Sequence, residues 1–594
     1  MARSTRVRSP SSSSNTSDSR PAIDLPEEWS FLPFLCLPDG AHASEEEFIY
    51  FHLPPVPQWT DYPQSTIFGL ACFRQIPTSE LVHKTSDLTR STVQKAVVVL
   101  AREPVLGFVR TKLGLVTQAF FAQKDFSQLE ILDNLFDNMR ASVHGYVNDA
   151  TLYAGISLRE LVFTFKYKAL QLLKLLLLEK RILFFGQRVE KLSSYQYSLV
   201  SLIPDLLRHL DDVGSPLLGN APDAGHHVDS KPSALTKKLT ELEDLHLAKL
   251  KNFGLPLRVF GKGCFFQPYI PLQQIDVLMS PETKSFLVGT SNAIFTHHKA
   301  CAIHAVVNVD TGNIEITDPA LNAALALTPP DRRFIDEIAK SVTNTWNTED
   351  PASGNTIEFG GSDDDLRARF ELYLQTLCVS MRASLEPNSS LSVSPTGGAN
   401  KAPPKDYISD YNINFIRMWQ TTTNYKLWES QTSKDMVDAM SPGHPFQGTT
   451  SLTSVQQSLA ARWTELGKAV TPLQQSVGRA LSTAEMSISK AVSSVVAEAS
   501  STATANTPQS GTGAATSTST AAAGTGAGAS GNFQARATSQ ATQMFNSVSS
   551  WYSQKRKEWI ATTQAASDHD LGELEGDGAF EVVPLHNEPG HPGN

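Results

Sequence analysis

What this chain lacks narrows its function first. Its 594 residues include five cysteines, Cys36, Cys72, Cys264, Cys301 and Cys378, and these are scattered without a C-x-x-C pair. Disulfide frameworks and cysteine zinc sites need clustered spacings, so the set reads as small buried hydrophobes of a reducing compartment. The formal charge of −10 argues against nucleic acid as a partner. The N-terminal MARSTRVRSPSSSSNTSDSR has no apolar h-region and is not read as a secretory signal.

Catalytic motifs are missing as well. There is no G-x-S-x-G elbow and no H-E-x-x-H. Gly261-Lys262-Gly263 lacks the gap and the Ser/Thr of a phosphate-binding loop, and Gly467-Lys468 is followed by Ala469. His297, His298 and His304, and the pair His226-His227, have no cysteine at a zinc-ligand interval. They are expected to be loop histidines beside a strand. These absences together leave no metal, cofactor or catalytic residue to assign and point away from a small-molecule enzyme.

A long uncharged apolar run is also lacking. The most apolar stretch, LVFTFKYKALQLLKLLLLEKRILFF over 161–185, carries Lys166, Lys168, Lys174, Glu179, Lys180 and Arg181. Each central Lys or Arg costs roughly 2.5–3.5 kcal/mol in a bilayer, so the stretch belongs in a protein core. Leu161, Phe165, Ala169, Leu172 and Leu176 predict one helix, opened by a Ser157/Glu160 capping box and feeding a buried strand, RILFFG. A helix leading directly into a buried strand is α/β architecture.

Around this stretch the chain divides. A basic, Ser-rich tail, expected to be disordered, covers 1–25. Strands are predicted at WSFLPFLCLP, FIYFHLP, TIFGLACFRQI and TVQKAVVVL, with helices at 105–123 and 127–139, giving an α/β module over 26–150. A second module spans 151–385: a helix over 194–210 interrupted at Pro204, a polar loop over 211–233 and a helix lined by Leu235, Leu239, Leu242, Leu245 and Leu250. Short strands at LPLRVF, SFLVG, AIFT, HAVVNV and IEI follow, and then helices over 331–346 and 362–381. Residues 386–406 form a linker, and the aromatic-rich 407–446 reads as a segment that docks on the body. Residues 499–540, nearly all Ser, Thr, Ala and Gly, and the acidic 567–594 are expected to be disordered.

Several segments, in order, carry a family resemblance: FLPFLCLPDGAH with FHLPP, TIFGLACFRQI, LLLLEKRILFFG, PYIPLQQIDVL and SFLVGTSNAIF. They resemble the DENN-domain family, most closely its Avl-type late secretory pathway proteins, from about Trp29 to Met381, resuming around NFIRMWQTTTNYKLW and the HPF of 444–446. The resemblance implies a two-lobed α/β body, a longin-like N-terminal module followed by a DENN module, with a long tail that is disordered and partly amphipathic. It also implies work on a Rab-type small GTPase, by nucleotide exchange or recruitment, in Golgi-to-plasma-membrane transport. The expected place is the cytoplasm, peripherally on Golgi-derived, secretory or recycling endosomal membranes. Tyr269, Gly289, Asn292 and Phe295 belong to the matching motifs and are expected to determine the fold. The alternative is a scaffold or GTPase effector for secretory carriers that exchanges no nucleotide.

Downstream, Val455, Leu459, Trp463, Leu466, Val470, Leu473 and Val477 recur every three or four residues within 447–498, opposite a weakly charged polar side. Such a stripe suits curved secretory or endosomal membranes, or packing on the body or on a partner helix. A second amphipathic helix over 541–566 sets Trp551 and Trp559 around Lys555, Arg556 and Lys557.

Overall fold

The structure, a computed structural model, describes residues 25–40, 44–56, 65–84, 90–142, 147, 149–218, 244–346, 360–385, 406–432, 436–447 and 580–585. Trp29, Leu32, Leu35 and Cys36 are buried together at three- and four-residue spacing, so the first apolar run forms a single 3-10 turn and a helix, Leu32–Cys36 (α1), with Pro33 in its first turn. A strand was expected there, and the helical spacing of the buried residues accounts for the difference. Glu46–Leu53 (β1), Ile67–Pro77 (β2) and Thr92–Ala101 (β3) form an antiparallel meander with β2 between the others, in the register Phe51↔Gly69 and Leu70↔Val99. Leu106–Ala122 (α2) covers one face and Glu130–Ser142 (α3) packs beside it. The other face is closed by α1 together with Val189 and Tyr269 from the second lobe, so this sheet is buried on both sides.

The second lobe begins with Asp149–Leu152 (α4), Leu158–Phe165 (α5) and Lys168–Leu177 (α6). The single helix expected over 161–176 is broken at Lys166, whose φ is +51°. The break leaves Lys166 and Tyr167 exposed and lets α6 bury every residue from Leu172 to Leu177. Ser157 caps α5 by accepting from the Glu160 amide at 3.3 Å, but Glu160 instead receives the Tyr195 hydroxyl at 3.2 Å. Arg181–Phe185 (β4) then enters the centre of a second sheet, followed by Val189–Val200 (α7), which starts five residues before the predicted helix.

A helix described over 244–252 (α8), Cys264–Gln267 (β5), Ile275–Met279 (α9), Ser285–Thr290 (β6), Ile294–His297 (α10), Ala305–Asn308 (β7) and Asn313–Ile316 (β8) complete the strand layer. The order is β5-β6-β4-β7-β8, with β5, β6, β4 and β7 parallel and β8 antiparallel. Ile182 and Phe184 face the main core on the α7 side, while Leu183 faces the smaller core of Phe286, Val288 and Phe295. Two predicted strands are corrected here. LPLRVF is irregular, its Pro256 having no amide to give a ladder, and AIFT is α10 because the Asn292 side chain caps the Ile294 amide at 3.0 Å.

Pro319–Leu325 (α11), Pro329–Asn344 (α12) and Asp363–Ser384 (α13) follow, with Thr328 and Ser362 as N-caps. The aromatic segment then packs on the body as Ile413–Trp419 (α14), Thr423–Gln431 (α15) and Met436–Ala439 (α16), with Tyr411, Phe415, Trp419, Tyr425 and Trp428 all buried. Within the acidic stretch expected to be disordered, Phe580–Leu585 (β9) forms a strand paired with β3, because FEVVPL is an apolar, β-branched island. The expected tail at 1–24, most of the 386–406 linker, the stripe at 455–477 and the segment holding Trp551 and Trp559 lie outside the described residues. Among the described residues no helix is long and apolar enough to cross a membrane.

Candidate functional site

The motif residues converge where the two lobes meet. The turn after α1 brings Asp39 against the loop following β6. The Asp39 amide donates to the Tyr269 hydroxyl at 2.9 Å, Asn292 Nδ2 donates to Asp39 Oδ2 at 2.9 Å, and Ser291 Oγ donates to the Asp39 carbonyl at 3.3 Å. Asn292 thus works twice, capping α10 with its oxygen and holding the other lobe with its amide. Gly289 accepts the Ile270 amide at 2.7 Å, and a Cβ there would lie 2.2 Å from the Pro268 carbonyl and 2.4 Å from Gln196 Nε2. Glycine is required by that close approach. Phe295 is fully buried in the smaller core below.

A second knot lies deeper in the same junction. His52 on β1 exchanges two bonds with the Gln267 amide, its N–H giving to Oε1 at 2.6 Å and its carbonyl accepting from Nε2 at 3.0 Å. The Gln267 side chain thereby stands in for a neighbouring strand on the β1 edge. The ring contacts fix one tautomer: Nδ1–H donates to the Phe266 carbonyl at 2.7 Å, so Nε2 accepts from the Tyr197 hydroxyl at 2.6 Å. Burial pushes the His52 pKa down to about 3, which keeps the ring neutral. Glu47 accepts the Val189 amide at 2.6 Å, and burial raises its pKa. Arg110 pairs with Glu190 across the same seam.

This chemistry positions two lobes; it does not activate a nucleophile. The solvent-facing part of the junction is the row of carboxyl ends of β6, β4 and β7, where ligands of parallel α/β sheets are commonly received. Gln187, Arg188 and Asp310 are exposed there, Ile294 is 50% exposed, and Asp39 contributes an acid from the first lobe. The Gln187 amide donates to Asp310 at 3.0 Å, fixing part of this rim. His297 is exposed near it, whereas His304 accepts the Arg181 amide at 3.0 Å and so has a local structural partner.

Tyr269, Gly289, Asn292 and Phe295 are therefore gathered at one junction, while the stripe residues and the two tryptophans fall outside the described residues. Sequence reasoning missed Asp39, His52 and Gln267 as junction residues. Nothing local marks a lone His in an alternating strand as an inter-lobe contact.

The profile of the family described as Transport protein Avl9 matches residues 8–381 and so takes in both lobes. The chain belongs to the Avl9 family. It is 36% identical over 464 residues to Late secretory pathway protein AVL9 of Saccharomyces cerevisiae, a match covering 74% of this chain and 59% of that protein. It is likewise 36% identical over 430 residues to Late secretory pathway protein avl9 of Schizosaccharomyces pombe, covering 71% of this chain and 85% of the relative.

The Avl9 profile stops inside α13, yet the folded body of this Avl9-family chain continues. Lys174 on α6, wholly buried, donates to Asp331 at 2.5 Å and to the Tyr411 carbonyl at 3.1 Å. Asp331 also receives the Tyr373 hydroxyl at 2.9 Å. The Phe446 amide donates to His444 Nδ1 at 3.0 Å, which leaves Nε2–H to reach Asp331 at 3.3 Å. Burial lowers the Lys174 and His444 pKa values; burial also acts to raise that of Asp331, but its bonds to His444 and Lys174 outweigh this and hold the carboxyl below the usual range. The HPF segment is thus clamped onto α6, α12 and α13.

Proposed function

We propose that this Avl9-family chain serves late secretory transport by acting on a Rab-type small GTPase. The family match across both lobes carries the reading, and the printed descriptions of the two yeast relatives support its place in the secretory pathway. Exchange by such a body needs no acid, base or nucleophile. It needs greater affinity for the nucleotide-free GTPase than for the loaded one, and that difference accelerates release. A rigid, two-lobed platform of the kind described is suited to that task. Exposed Arg188, Ile294 and Asp310 at the carboxyl ends of the parallel strands, with Asp39, are the surface we assign to the GTPase, since this end of a parallel α/β sheet commonly receives ligands. Attachment to curved membranes is assigned to the stripe from Val455 to Val477.

The test is release of labelled GDP from a panel of Rab GTPases by the full chain and by Ile294→Asp. Release of one GTPase accelerated at least tenfold and lost in the variant supports exchange at this rim. Capture of a GTP-loaded Rab without faster release makes the chain an effector or scaffold. Indifference to every Rab in every state overturns the reading.

A further inference from the structure

β3 has the character of an interior strand. From Ala96 to Ala101 every residue is buried, with Val97, Val99 and Ala101 in the core under α2 and Ala96, Val98 and Leu100 in the core under α1. One edge of this segment is taken by β2. On the other edge the run AVVVLA carries neither charge nor proline, the devices by which natural sheets blunt an open edge. A six-residue apolar edge of this kind requires a covering strand.

The chain supplies one from far downstream. β9 pairs antiparallel with β3 over the whole apolar segment, from Ala96↔Leu585 through Val99↔Val582 to Ala101↔Phe580. α3 lies beside the added strand. β9 itself carries what the AVVVLA run does not: Glu581 is charged, and Pro584 has no N–H to give to a ladder. Its composition suits an edge position in the sheet.

We propose that the outer edge of β3 is a strand-accepting site whose occupant is the chain's own Phe580–Leu585 segment. The C-terminal strand is thereby latched to the first lobe. Recognition is by main-chain pairing, the chemistry of β-strand addition.

Cross-strand cysteines in the full-length protein test this, because the native cysteines are all buried. Val99→Cys with Val582→Cys, directly opposite in the register, is expected to form an intramolecular disulfide under mild oxidation. Val99→Cys with Pro584→Cys, two residues out of register, is expected to form about a tenth as much or less. In a second arm that alters only the tail, Val582→Pro with Val583→Pro is expected to raise hydrogen exchange at the outward amides of Ala96–Ala101 on the order of a hundredfold. A synthetic peptide of residues 578–587 is expected to restore protection. Cross-linked dimers would give the site to a second copy of the chain and overturn the intramolecular latch. Equal or absent cross-linking in both registers, or β3 protection unmoved by the proline pair, would overturn the occupant itself.

Discussion

His52 shows how much one side chain carries in this protein. Its backbone completes a strand edge through Gln267, and its neutral ring bridges Phe266 and Tyr197 between the lobes. Because its pKa falls from 6.5 to about 3 on folding, the unfolded chain takes up the proton first. The His52 contribution is complete above pH 6.5 and is lost as pH falls toward 3, by about 1.4 kcal/mol per unit. Denaturant titrations of the parent and His52→Phe between pH 7 and 4.5 should differ in slope by about that amount; parallel curves would show that His52 is not buried neutral. Gly289→Ala forces a methyl against the Pro268 carbonyl and should cost roughly 1–3 kcal/mol in the same assay. Gly289 and Asn292 could be picked out in the sequence because they lie in the matching motif segments and are residue types suited to constrained backbone positions. His52 could not, since its partners lie more than 140 residues away.

At the scale of elements, periodicity was informative where one face alone is buried, as in α2 and α12. It misled where burial surrounds the element. The run over 161–176 reads as one helix because nearly every position is apolar or long-stemmed, and only the packing shows α5 and α6 to be separate. AIFT and LPLRVF read as strands on composition, although a local side-chain cap in one and a proline in the other decide otherwise. Lysine is tolerated in α6 at Lys174 because Asp331 and the Tyr411 carbonyl receive it. Two outcomes follow. Asp331→Ala strands that ammonium and should cost about 3–5 kcal/mol by thermal or denaturant unfolding. Leu176→Lys, which places a charge at a site 4% exposed with no carboxylate assigned to it, should abolish cooperative folding; a soluble variant with a sharp melt would contradict the placement of α6.

For the whole molecule, the two lobes share one continuous core and are stitched by buried polar contacts, so they form a single platform. The order of modules was legible because the matching segments run in sequence through both lobes, and the docking of the aromatic segment was legible from its density of Tyr and Trp. The return of β9 to the first sheet was not, because a six-residue strand in a polar, acidic setting has no local sign of its distant partner. The proposed function depends on this platform distinguishing the states of a Rab GTPase. The most direct measurement is the equilibrium affinity of the full chain for one responsive Rab held nucleotide-free, GDP-bound and GTP-bound. The account predicts binding of the nucleotide-free form at least a hundredfold tighter than the GDP form, a coupling of about 2.7 kcal/mol. Equal affinity for all three states, or no binding to any, would contradict it.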